Sequence, residues 1–186
     1  VSPVQASPGR IVAVDVLGAA HLLDAFLAHA APGLVVVCIA SMAGSMFPLP
    51  EDVERDLAMT PTGQLAGIPA LDPASLDSGT AYGVAKRANQ LRVQAASVAY
   101  GRKGARVISI SPGVISTPMG QAELDGPVGE VMRSMVASSG TGRLGTPDDI
   151  AGAVAFLVSP AASFITGTDV LVDGGVVAAM RYGNPQ

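Results

Sequence analysis

Apolar residues recur at helical spacing along the first segment, SPGRIVAVDVLGAAHLLDAFLAHAAPG. Ile11, Val14, Gly18, Leu22 and Ala25 fall on one stripe. Ser7 is placed to cap that helix, Pro8 to occupy its first position and Pro32-Gly33 to stop it. The pattern then changes. LVVVCIA, residues 34–40, is β-branched and apolar without alternation, as in a strand buried on both faces. Residues 47–78 carry five prolines and read as a long connection, with EDVERDLAM as a short helix inside it. Helical period resumes over 79–101, where Ala81, Ala85, Ala88, Leu91, Ala95 and Val98 share a stripe. RVISIS is a second buried strand and PGVISTPM a loop. Residues 119–138 read as one helix, which SSGTGRLG ends. TPDDIAGAVAFLVSP is a further helix, with Thr146 as cap, Pro147 at its start and two acids at its positive end. TGTDVLVDGG supplies the third strand.

Helix and strand alternate throughout, which implies a parallel sheet with right-handed crossovers. The expected fold is α/β, a Rossmann-like doubly wound sheet with three strands and flanking helices, in a single domain over 1–186. Ligands of such sheets bind beyond the carboxyl ends of the strands. Here those ends carry SMAGS, SPGVISTP and DGG, all rich in small and hydroxyl residues.

Composition narrows the partners. The chain is 49% hydrophobic and 14% charged, as a globular core requires, and its net charge of -4 argues against nucleic acid. No apolar run reaches 18 residues without a breaker, so no membrane span is expected. One cysteine, Cys38, excludes an internal disulfide and fits a reducing cytoplasm; within LVVVCIA it reads as a small core residue. One Cys and two His make a structural zinc site improbable.

The candidate chemistry lies in SGTAYGVAKRANQ. Tyr82 and Lys86 are four apart on a helix, share a face and stand off the apolar stripe. A phenol titrates near 10, and a neighbouring ammonium favours the phenolate, so a pair so placed can exchange a proton with a carbinol oxygen. Ser41, at the end of the first strand, is placed to hydrogen-bond the same oxygen. A serine hydrolase is disfavoured: the chain has no Gly-x-Ser-x-Gly elbow, and neither His21 nor His29 stands at a strand end.

Four ordered motifs, IASMAG, YGVAK, SPGVISTPM and ITGTDVLVDGG, make the chain resemble the C-terminal two-thirds of a short-chain dehydrogenase/reductase. The resemblance implies a catalytic role for Ser41, an acid/base role for Tyr82, and for Lys86 both support of Tyr82 and bonds to the nicotinamide ribose. It implies contacts from Pro112, Gly113, Ile115 and Thr117 to the cofactor, NAD or NADP. The substrate would be a small-molecule alcohol or ketone, and the assembly a homodimer or homotetramer built through 8–30, 79–101 and the C-terminal strand region. The alternative is a non-catalytic binding or scaffold member of the family.

The chain departs from the family pattern in two places. Asp15 stands where the family has an Asn that supports a proton relay, and an ionised carboxylate only accepts hydrogen bonds. The Gly-rich turn that follows the family's first strand is not in this sequence, and GTGRLG at 140–145 follows no strand, so it fails the fingerprint's context. The chain is therefore expected to begin after the family's fourth strand, which would leave the 34–40 strand with an uncovered edge. A gap of 41 residues separates Ser41 from Tyr82, longer than is usual in the family. The insert at 47–78, expected near the substrate site, resembles that of hydroxysteroid dehydrogenase/carbonyl reductases. Its Phe47, Leu49, Leu57, Met59, Leu65, Ile68 and Leu71 suit either a bulky, steroid-like substrate or packing onto the body of the domain.

Overall fold

The computed structural model describes residues 1–46 and 48–183. Phe47 lies outside them. The first helix runs from α1 (Pro8–Ile11) through a π-helical segment (Val12–Gly18) into α2 (Ala19–Ala28). Ser7 caps it as expected, its hydroxyl accepting from the Arg10 N–H at 3.4 Å. Next come β1 (Val35–Ile39), α3 (Ala43–Met46), α4 (Glu51–Met59), α5 (Ser78–Gly101) and β2 (Arg106–Pro112). The chain closes with α6 (Pro118–Leu124), α7 (Gly129–Ser138), α8 (Pro147–Val158), β3 (Asp169–Val172) and α9 (Val176–Tyr182).

The three strands form one parallel sheet in the order β1-β2-β3, with Val37 opposite Ile108 and Ile110 opposite Val170. The α/β expectation and the three strand positions hold. Helix α5 packs on one face of the sheet and α8 on the other. Residues 119–138, expected as one helix, are two. Pro127 has no N–H to give and restricts Gly126 before it, so α6 stops at Leu124 and α7 restarts at Gly129. Thr146 and Asp149 form a reciprocal capping box at the start of α8.

Most of the insert's described apolar residues pack onto the body of the domain, while Met59 is 67% exposed. Leu57, Leu65, Ile68 and Leu71 are buried in one cluster with Ile11, Val12 and Val16 of the first helix and Ala81, Ala85 and Ala88 of α5. Each such side chain contributes about 1.5–3 kcal/mol over leaving it in water, so the insert is a fixed part of the body. Arg92 of α5 fastens its far end, donating to Leu57 O at 3.2 Å, Thr60 O at 2.9 Å and Thr62 Oγ1 at 3.0 Å. It thereby occupies part of the helical surface on which a second copy was expected.

The first helix also corrects the reading of membrane length. Pro8–Ala28 is 21 residues with mean hydropathy 1.9, long and apolar enough to cross a bilayer. Ile11, Val16 and Ala20 are fully buried against the insert and α5, while only 33% of its apolar window is buried and Leu22 and Phe26 are exposed. Cys38 is a partly buried member of the cluster between the helices and β1, and burial pushes its thiol up, away from the reactive thiolate.

Candidate functional site

Ser41 follows β1 directly. The Ala40 N–H still extends the ladder to Ile110 O at 2.8 Å, and the chain then turns, the Ser41 hydroxyl accepting from the Ala43 N–H at 3.2 Å. That turn starts α3, which lies flat on α5. A Cβ on Gly44 would fall 2.7 Å from both the Arg87 nitrogen and the Lys86 carbonyl carbon, so only glycine permits the approach. Gly44→Ala is expected to cost about 1–3 kcal/mol through overpacking, read as a lower denaturant midpoint at unchanged slope.

Tyr82 sits one turn into α5, whose start is capped by Asp77 accepting from the Thr80 N–H at 2.9 Å. Half-buried, it packs against the cluster shared by the insert and the first helix. Burial pushes its phenol above the usual range. The Ser41 hydroxyl partly offsets this, while Glu123 and Asp15 push the same way as burial. The expected lowering by Lys86 is thus reversed. The reason is geometric: the ammonium stands 5.3 Å from the centre of the Tyr82 ring, above its face, and 3.5 Å from Ile39 O. Lys86 is aimed at the end of β1 rather than at the phenol oxygen.

Asp15 lies in the π-helical segment, a feature frequent at functional sites. It is 7% exposed; Oδ1 accepts from the Val1 nitrogen at 3.1 Å and Oδ2 has no partner among the described residues. It lines a cavity of about 520 Å³ between the first helix and β1, together with Lys86 and Asn89, whose Oδ1 is likewise buried and unpartnered. Ile39, at the carboxyl end of β1, an edge strand among the described residues, is 51% exposed.

The Pro112–Thr117 loop reaches the same end of the sheet. The Met42 N–H donates to Pro112 O at 2.9 Å, and the Gly113 N–H to Val172 O at 2.9 Å. A Cβ on Gly113 would meet the Asp173 backbone at 2.6 Å. Ile115 bridges to Gly145, and the Thr117 hydroxyl caps α6, accepting from the Gly120 N–H at 3.0 Å. Beyond Ser41, Met42, Val114, Leu124, Val136, Val176 and Val177 form an apolar cluster, with Met46, Met132 and Met135 packed on it.

Ser41, Tyr82, Lys86, Asp15 and the Pro112–Thr117 loop therefore gather at the carboxyl end of the sheet or along the cavity beside β1. Three others were not anticipated: Gln90, Asp169 and Glu123. Gln90 is signalled by its register, eight residues after Tyr82 on the same face. Glu123 carries no such signal.

A family profile described as enoyl-(acyl carrier protein) reductase matches residues 52–177. A short-chain dehydrogenase/reductase of Alternaria brassicicola, bsc3, is 38% identical over 95% of this chain and 65% of its own length. The chain belongs to the short-chain dehydrogenase/reductase family. The 3-alpha-hydroxysteroid dehydrogenase/carbonyl reductase of Comamonas testosteroni is 34% identical over 93% of this chain and 68% of its own. The solved 3-alpha-hydroxysteroid dehydrogenase of Pseudomonas sp. B-0831, a complex with NADH, superposes with a TM-score of 0.82 at 31% identity; the match covers 97% of this chain and 71% of that one. The chain thus spans about two thirds of the length of these relatives.

Proposed function

We propose that this chain carries the proton-transfer and nicotinamide-facing part of an NAD(P)-dependent oxidoreductase that interconverts a secondary alcohol and a ketone. The observation that carries this reading is the packing of the turn that carries Ser41, at the carboxyl end of β1, against α5, with the Lys86 ammonium standing over the Tyr82 ring one turn along the same helix. The residues present fit the nicotinamide ribose. Lys86 makes one long contact, to Ile39 O, which leaves ammonium hydrogens for hydroxyl groups. Asn89 Oδ1 and Asp15 Oδ2, buried and unpartnered in the same cavity, are acceptors awaiting donors.

When bound, the cofactor supplies or takes the hydride. The protein's part is to hold and to protonate. Ser41 donates to the substrate oxygen. Tyr82, protonated at neutral pH because burial favours the neutral phenol, gives that oxygen its proton in reduction and takes it back in oxidation. Lys86 holds the ribose, and Pro112, Gly113, Ile115 and Thr117 line the approach to the nicotinamide. Exposed Phe164 and Leu171 beside β3 support assembly as a homo-oligomer through the C-terminal surface.

Titration of the intact protein with NADH and with NADPH tests the reading. A saturable change in nicotinamide fluorescence is expected with at least one of them. No change up to millimolar concentration would turn the assignment toward a scaffold.

A further inference from the structure

Gln90 is fully buried, and Tyr82, Lys86 and Gln90 stand in one row down α5. Its amide nitrogen lies 3.3 Å from Ser41 O, 3.2 Å from Ser45 Oγ, 2.9 Å from Ser111 Oγ and 3.3 Å from Asp169 Oδ2. Its amide oxygen accepts from Arg87 Nη1 at 3.2 Å, and Arg87 pairs with Glu54 of α4 at 2.7 Å. Beneath it, Asp169 Oδ1 accepts from Ser109 Oγ at 2.7 Å and Ser111 Oγ at 2.9 Å. Both serines are fully buried on the sheet face under α5. Their hydroxyl hydrogens go to Asp169, which leaves Ser111 Oγ free to accept from Gln90. The second amide hydrogen is shared between Ser41 O and Asp169 Oδ2, each 3.3 Å away and neither with a hydrogen to give. A satisfied polar network of this kind is rigid, because each lost bond leaves a buried group unpaired.

We propose that Gln90 is a positioning residue for Ser41. Its amide holds the Ser41 carbonyl, and with it the residue that carries the hydroxyl, to the helix that carries Tyr82 and Lys86. Through Arg87 and Glu54 the same amide ties the insert to this turn. The consequence for turnover rests on the reading of Ser41 as the group that holds the substrate oxygen.

The test is Gln90→Met in the intact protein, which keeps the length and removes both donors. Amide exchange at Gly44, whose N–H bonds Ser41 O at 3.0 Å, is expected to speed up about tenfold, with Val93 and Ala96 of α5 unchanged. Turnover is expected to fall roughly ten- to a hundredfold, with the affinity for NADH or NADPH unchanged. Unchanged exchange at Gly44, or exchange rising equally along α5, overturns the proposal. Faster exchange at Gly44 with full turnover supports the positioning and overturns the role of Ser41. Gln90→Glu is the second variant. Ionised, it has no donor and faces Asp169; protonated, it regains one. Its turnover relative to the parent at equal pH is expected to recover as pH falls, and a ratio flat with pH counts against the proposal even if Gln90→Met does not fold.

Discussion

Tyr82→Phe is expected to lower ketone turnover by about 10²–10⁴-fold while leaving nicotinamide binding nearly unchanged. The change removes one oxygen and keeps the ring. The packing of Tyr82 against the insert cluster therefore survives, and so does the face over which the Lys86 ammonium stands. What is lost is the proton carrier. The pH dependence of the parent protein gives an independent check. Burial raises the phenol above its ordinary value, so at neutral and acidic pH the protonated form is the populated one. Reduction consumes that proton; it is expected to stay level on the acid side and to fall as pH rises through the raised value. Oxidation needs the phenolate and is expected to climb with pH over the same range. Steady-state rates in both directions, with binding followed by fluorescence, decide the matter. Retained turnover in Tyr82→Phe would sink the assignment.

The fold was legible because its signals are local. The apolar strands, the Ser7 and Thr146 caps and the Pro32-Gly33 stop each specify an element without help from its neighbours. Ser41, Tyr82 and Lys86 were legible because they follow strand ends and share helix register. The tuning of that pair was not. A spacing of four residues says that two side chains share a face, but not where the longer one points. Lys86 turned to Ile39 O and the Tyr82 ring, and burial rather than the ammonium came to govern the phenol. The polar layer under α5 was hidden for a related reason. RVISIS reads as a buried strand, and it is one, yet its serines point inward because Asp169 and Gln90, 60 residues or fewer along the chain, meet them there. The break at Gly126-Pro127 was in plain view and was outweighed by the apolar period on either side.

Lys86→Ala is expected to damage binding and turnover together. A hydrogen bond to a charged group contributes about 1.5–3 kcal/mol, so losing the ammonium's bonds to the ribose hydroxyls is expected to weaken NADH or NADPH binding roughly ten- to a hundredfold. Turnover is expected to fall further than saturation with cofactor can restore, because the positive charge beside Tyr82 is lost in the same step. A cation 5.3 Å from the ring favours the phenolate in principle, whereas burial, Glu123 and Asp15 disfavour it. Oxidation, the direction that needs the phenolate, is accordingly expected to suffer more than reduction. The fold is expected to stand, since Lys86 is only half-buried and its one hydrogen bond among the described residues is the 3.5 Å contact to Ile39 O. Three measurements on one variant separate the contributions: the dissociation constant, turnover at saturating cofactor in both directions, and the denaturant midpoint. A dissociation constant equal to the parent's would remove the ribose from the role of Lys86. Equal losses in the two directions would remove its influence on the phenol.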